Sequence, residues 1–111
     1  MPQTEWSDEI LLVELGDEPA FSEEMGALMA RLERGETRHI VLDFRNVRVL
    51  NSSNLAALLR LRTRVNTLGR RLRLSGVNDK VWGVLLVTGL DKVFEFNEDV
   101  AAALASMQMG L

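Results

Sequence analysis

Short apolar runs alternate with segments of helical periodicity along the whole chain. Four runs predict β-strands, at residues 10–15, 39–44, 72–76 and 93–96. Four segments whose apolar residues recur every three or four positions predict helices, with starts near Ser22, Leu55, Asn78 and Asn97 and stops at Gly35, Gly69 and Gly89. This order favours an α/β fold with a four- to five-strand mixed sheet, about four helices and right-handed crossovers.

The length of the chain suits one domain. Its 111 residues contain no internal repeat, no low-complexity tract and no Pro/Gly-rich linker. A chain of this size buries roughly two-thirds of its unfolded surface, which is enough for one core. We therefore expect a single domain over residues 1–111, with the folded core at residues 10–107.

The residue types that most enzymes need are scarce. The chain has no cysteine and one histidine, His39, which opens an apolar strand and is more typical of a structural residue than of a base or ligand. Ser52 and Ser53 lack the Gly-x-Ser-x-Gly elbow, and no phosphate-binding Gly-rich loop is present. Asp43 ends a strand, where it can accept hydrogen bonds from the following turn. We expect no enzymatic activity, no metal site and no cofactor.

Acidic and basic residues are concentrated in different parts of the chain. Residues 1–30 carry eight acidic residues and no lysine or arginine, whereas residues 31–80 carry twelve basic residues and four acidic ones. The densest basic run consists of Arg60, Arg62, Arg64, Arg70, Arg71 and Arg73. These arginines form either a solvated helix flank or a surface that steers an acidic partner. Nucleic acid is not expected as a partner, because the net charge is −3 and no aromatic residue lies between Arg45 and Leu74 to stack on bases.

The sequence shows neither a signal peptide nor a stretch long enough to span a membrane. The first five residues do not begin a basic segment followed by an apolar run, so no signal peptide is predicted. The longest nearly apolar stretch, residues 81–90, is far shorter than a membrane span. We expect a cytoplasmic protein that does not insert into a membrane.

A cluster of short polar residues, Asn51-Ser52-Ser53-Asn54, lies where a predicted strand gives way to a helix. Asparagine and serine are preferred N-caps, so one of Asn51, Ser52 and Ser53 should cap that helix. We expect all four residues to be exposed together. A phosphate on either serine would lie at the positive end of the helix and would add about −1.5 to −2 charges.

Two blocks of sequence resemble the STAS family, the domain of bacterial anti-sigma factor antagonists. The first is Val41-Leu42-Asp43-Phe44 followed by residues 49–56, where the family has a strand with a terminal Asp and then an Asp-Ser-Ser/Thr-Gly-Leu loop that opens a helix. The second consists of the strand at residues 72–77 and the segment 87–94. The likeness spans roughly residues 10–107.

The resemblance implies a function in partner switching. Members of this family bind an anti-sigma factor that is also a serine kinase, and phosphorylation of the loop breaks the complex. The phosphorylated position corresponds to Ser53 here, with Ser52 as the alternative. The implied partner-binding residues are Asn51, Ser52, Ser53, Asn54, Arg60 and Arg64.

Three features depart from the family pattern. Asn51 replaces the usual Asp, Asn54 replaces the usual Gly, and residues 16–19 leave little room for the family's usual second strand. The altered loop favours an alternative function, a STAS subunit that is not phosphorylated. Such a subunit would serve as a fixed interaction part of a signalling scaffold or a lipid-transport complex.

Overall fold

A five-stranded mixed sheet with helices on both faces is the frame of the molecule. The computed structural model describes residues 3–110. The strands are β1 (Gln3–Glu5), β2 (Ile10–Gly16), β3 (His39–Asn46), β4 (Leu72–Ser75) and β5 (Glu95–Asn97). The helices are α1 (Ala20–Glu33), α2 (Ser52–Thr67), α3 (Asp79–Val87) and α4 (Val100–Met109), and a short 3₁₀ turn covers Leu90–Lys92. The α/β fold predicted from the alternation, with its mixed sheet and four helices, is confirmed.

The sheet topology brings the starts of all four helices to one edge. The strands lie in the order β1-β2-β3-β4-β5, with β1 antiparallel to β2 and all the other neighbours parallel. Each helix follows one of the four parallel strands, so each helix begins near the carboxyl end of the strand before it. Sites in open sheets of this kind tend to lie at that edge.

Alternating side chains of the central strands divide the core into two layers. Leu11 and Leu42 belong to the larger layer, which α1, α2 and α3 cover, whereas Ile10 and Val41 belong to a smaller layer covered by α4. The edge-to-face pair of Phe21 and Phe44, with ring centroids 6.2 Å apart, ties α1 to the sheet. Burial of this apolar surface is the main favourable contribution to folding.

The strand β1 was not predicted. It contributes three residues, Gln3–Glu5, that are exposed or half-buried, and it pairs with Leu11–Val13 of β2. A polar edge strand has no buried face, so it carries no period-two apolar pattern. The extra strand therefore lies before β2, not in the short segment at residues 16–19 that follows it.

Two predicted helix caps are wrong. Ser22 lies inside α1, whose N-cap is Pro19, because the side chain of Glu18 accepts the N–H of Ser22 at 2.8 Å and takes over the capping contact. Asn97 lies in β5, and Asp99 caps α4 by accepting the N–H of Ala102 at 2.8 Å.

The predicted cap of α3 and the three predicted glycine stops are confirmed, whereas α2 begins at Ser52, three residues before Leu55. Asn78 caps α3 by accepting the N–H of Val81 at 2.8 Å. Gly35, Gly69 and Gly89 follow the ends of α1, α2 and α3 with positive φ angles, which glycine adopts readily.

Candidate functional site

The helix α2 begins with a reciprocal capping box built by two asparagines. The Asn51 side chain accepts the N–H of Asn54 at 2.8 Å, and the Asn54 side chain accepts the N–H of Asn51 at 3.0 Å. Of the three possible caps, the structure therefore selects Asn51. Asn54 is buried, with 3% of its surface exposed, so the expectation that all four polar residues are exposed together is wrong. It is buried because its side chain is held between two helix starts.

Glu18 joins the start of α1 to the start of α2. Its carboxylate accepts the hydroxyl of Ser22 at 2.6 Å, the N–H of Ser22, and the side-chain amide of Asn54 at 3.0 Å. Hydrogen bonds from Ser22 lower the pKa of Glu18. A negative charge is favourable here, because two helix N-termini lie beside it.

The loop before α2 is fixed by its neighbours on both sides. Asp17 accepts the backbone N–H groups of Arg48 and Val49, at 2.8 and 3.2 Å, and its second oxygen pairs with the Arg48 side chain. The side-chain bond from Arg48 lowers the pKa of Asp17. On the other side, Asn78 donates to the carbonyl of Val47 at 3.1 Å. The loop therefore presents the start of α2 in one defined position.

Ser52 and Ser53 are the first two residues of α2, and both are exposed. Within residues 3–110 their hydroxyls form no hydrogen bond, and their backbone N–H groups have no acceptor, as expected for the first turn of a helix. Because Asn51 and Asn54 do the capping, the two serines are free to react or to contact another molecule.

The side chains of four of the six arginines in the predicted basic run form hydrogen bonds or ion pairs with described residues, and two do not. Arg62 donates to the carbonyl of Val93 at 3.0 Å, and Arg70 donates to that of Thr37. Arg71 and Arg73 pair with Glu95. Arg60 and Arg64 form no ion pair with any described residue. Arg60 and Arg64, the two arginines predicted to bind a partner protein, are thus the two that have no ion-pair partner among the described residues.

The remaining titratable residues singled out in the sequence have structural contacts. Asp43 is buried and accepts the N–H of Arg45 at 3.0 Å, but it lies inside β3, which continues to Asn46, so the prediction that Asp43 ends the strand is wrong. Nδ1 of His39 accepts the N–H of Arg71 at 2.9 Å, which helps to hold β3 beside β4. Burial lowers the pKa of His39, and the charges of Arg70 and Arg71 lower it further.

Among residues 3–110, no cluster of three or more histidine or acidic side chains is arranged to hold a metal ion. No helix in the same range has the length and apolarity that a membrane crossing requires.

Replacing Asn51 with alanine should lower the free energy of unfolding by about 0.5–2 kcal/mol, because α2 would lose its N-cap. Ser52→Ala is the matched control and should change stability by less than about 0.5 kcal/mol, since the Ser52 hydroxyl forms no bond. Urea unfolding of both variants measures the difference. Equal losses would contradict the assignment of Asn51 as the cap.

Sequence reasoning missed Asp17 and Glu18. Both contacts cross more than thirty residues of chain, from Asp17 to Arg48 and from Glu18 to Asn54. No local periodicity encodes such a contact. The one available signal is that two acidic residues immediately precede a predicted helix, where acidic side chains are favourable.

Comparisons with known proteins agree with the fold. Among solved structures, a protein from Thermotoga maritima has a TM-score of 0.83 at 18% identity, over 96% of this chain and 93% of that chain. An anti-sigma-factor antagonist (STAS) domain protein from Planctomyces limnophilus has a TM-score of 0.78 at 20% identity, over 89% and 91%. The phosphorylated form of the Bacillus cell fate determinant SpoIIAA has a TM-score of 0.71 at 15% identity, over 94% and 96%.

At these identities the likeness to solved structures establishes the fold alone. A comparison with curated protein sequences finds no match. The family model of the STAS domain, however, matches residues 2–103, which is nearly the whole chain. This match agrees with the resemblance carried by residues 41–44 of β3 and by the loop at residues 51–54. The chain belongs to the STAS domain family.

Proposed function

We propose that this protein is an anti-sigma factor antagonist that binds an anti-sigma factor with serine kinase activity, and that phosphorylation of Ser53 breaks the complex. The protein acts in the cytoplasm by binding, not by catalysis. The start of α2 is the contact surface, and Ser53 is the residue that switches it.

The accessibility of Ser53 is the observation that carries this proposal. Its hydroxyl is exposed and unbonded among the described residues, because Asn51 and Asn54 cap the helix instead. A kinase can reach such a hydroxyl without unfolding the helix. A phosphate at this position would lie close to the unpaired N–H groups of the first turn, which favour an anion.

The departures from the family loop are compatible with this function. Asn51 accepts the same backbone N–H that an aspartate would, so it keeps the cap and removes one negative charge beside Ser53. Asn54 points away from the surface toward Glu18, so its side chain does not obstruct a partner that approaches the serines. The similar SpoIIAA structure, which is a phosphorylated form, supports a phosphate as a modification that this fold can carry.

Affinity purification of the tagged protein from its native cell tests the proposal. We expect an anti-sigma factor with a kinase domain to co-purify, and we expect mass spectrometry to find a fraction of the peptide containing Ser52 and Ser53 phosphorylated at Ser53. Incubation of the purified pair with ATP should then transfer phosphate to Ser53 and dissociate the complex.

A different result would favour the alternative function. If a stable assembly of signalling or transport proteins co-purifies, and if neither serine carries phosphate in cells or after incubation with ATP, the proposal is wrong. The protein would then be a static interaction subunit of that assembly.

A further inference from the structure

A shallow groove runs between α1 and α2 beside Ser53. Its volume is about 170 Å³, and it is lined by Ser22, Met25, Gly26, Met29, Ser53, Ala57 and Arg60. Met25, Met29 and Ala57 contribute its apolar side chains. Ser53 and Arg60 lie about 10 Å apart along the α2 axis. Small-molecule pockets usually hold roughly 300–1,000 Å³, so this groove suits a few side chains of a protein partner better than a cofactor.

Gly26 keeps the groove open at a cost to the helix. It lies near the middle of α1 and is exposed, and a Cβ atom added there would meet nothing within 4 Å. Glycine in a helix interior destabilises the helix relative to alanine. Nothing in the described fold requires this glycine, whereas a helix that docks close to α1 would require it.

The one charged residue among those that line the groove is Arg60, and the carboxylate of Glu18 is hydrogen-bonded to Ser22 at the opposite end. Arg64 lies one turn beyond Arg60 along the same face of α2. Neither forms an ion pair within the described residues. The Nε atom of Arg64 is also buried and has no hydrogen-bond acceptor. That atom is closed to a docking molecule, so Arg64 contributes to this surface through its uncompensated charge alone.

We infer that the α1–α2 groove binds an acidic amphipathic helix of the partner protein. The apolar side chains of that helix pack on the half-buried Met29 and Ala57 next to Gly26, and one of its carboxylates pairs with Arg60. Helices with apolar anchors three and four residues apart commonly dock into grooves of this kind. The inference rests on the proposed partner-binding function and specifies the surface and the chemistry of the partner.

This geometry also accounts for the position of the switch. Ser53 and Arg60 line the same groove, so a phosphate on Ser53 would compete with the partner's carboxylate for the arginine. It would also repel that carboxylate directly, because like charges brought together at an interface oppose binding.

Peptide selection on the intact protein tests the groove without the kinase. Random 16-residue peptides displayed on phage are panned against the immobilised full chain. We expect the enriched peptides to be more acidic than the starting library and to carry Leu, Met or Phe at spacings of three and four. Synthetic versions should shift the amide resonances of Gly26, Ala57 and Arg60.

Matched variants test the two named contacts. Arg60→Glu should weaken the affinity for a selected peptide at least tenfold, while Arg34→Glu, at the far end of α1, should leave that affinity within about twofold of the wild-type value.

Gly26→Ala should raise the melting temperature by about 2–6 °C and still weaken the affinity for the peptide at least tenfold. Gly83→Ala, in α3, adds a methyl group in equally open space and should not change peptide affinity.

Several outcomes would overturn the inference. They are a selection that enriches no binder, peptides no more acidic than the library, resonance shifts outside the groove, and equal binding to the Arg60→Glu variant. Self-association of the free protein that Arg60→Glu abolishes would identify a second copy as the occupant instead. If the groove fails but Ser53 phosphorylation still dissociates the purified complex, the proposed function stands and only this surface is wrong.

Discussion

Replacing Leu58 with alanine should lower the free energy of unfolding by about 2–5 kcal/mol. Leu58 is fully buried at the centre of α2, and it belongs to the core layer shared with α1 and α3. The truncation removes buried methyl groups and leaves a cavity that the sheet beneath α2 can only partly fill. Urea unfolding should show a lower midpoint with an unchanged slope, because the substitution leaves the surface area exposed on unfolding nearly the same.

Leu59 provides the control at the next position of the same helix. The residue is 39% exposed, and leucine and alanine have similar helix propensities. Leu59→Ala should therefore change the free energy of unfolding by less than about 0.5 kcal/mol. If the two variants unfold at the same urea concentration, the packing of α2 on the sheet described here is wrong.

The contrast between Leu58 and Leu59 explains why most of the fold could be predicted from the sequence. Helical periodicity reflects which residues are buried, and Leu58, Leu61 and Val65 are all buried as their spacing predicts. The buried strand β3 could be predicted because its apolar run is continuous. The strand β1 could not, because its residues face solvent and pair through backbone groups that leave no apolar pattern.

The candidate site was predictable in its position but not in its internal contacts. The order of strand, polar residues and helix places Ser52 and Ser53 at a helix start, and that position is confirmed. The burial of Asn54 could not be predicted, because it depends on Glu18, which is 36 residues away in sequence. The sequence likewise could not predict that Arg62 donates to the carbonyl of Val93 whereas Arg60 forms no ion pair with a described residue.

Replacing Ser53 with aspartate should weaken binding of the proposed partner, an anti-sigma factor, by about 100-fold or more, which corresponds to about 2.8 kcal/mol. In the proposed complex the new carboxylate would face the partner across a contact that excludes water, where juxtaposed like charges cost several kcal/mol. The variant should fold normally and gain up to about 1 kcal/mol of stability, because an acidic residue in the first turn favours the helix. Isothermal titration and urea unfolding measure the two effects separately.

Two controls separate charge from shape and from position. Ser53→Asn has nearly the same size as aspartate without the charge, so it should bind within about fivefold of the wild-type protein. Ser52→Asp places the same charge one residue earlier, at a side chain that does not line the α1–α2 groove, and it should weaken binding less than Ser53→Asp. If Ser53→Asn and Ser53→Asp are equally impaired, crowding at the start of α2 blocks the partner, and a phosphate would act through its bulk. If both bind as tightly as the wild-type protein, Ser53 is not the switch, because neither charge nor size at this position reaches the partner.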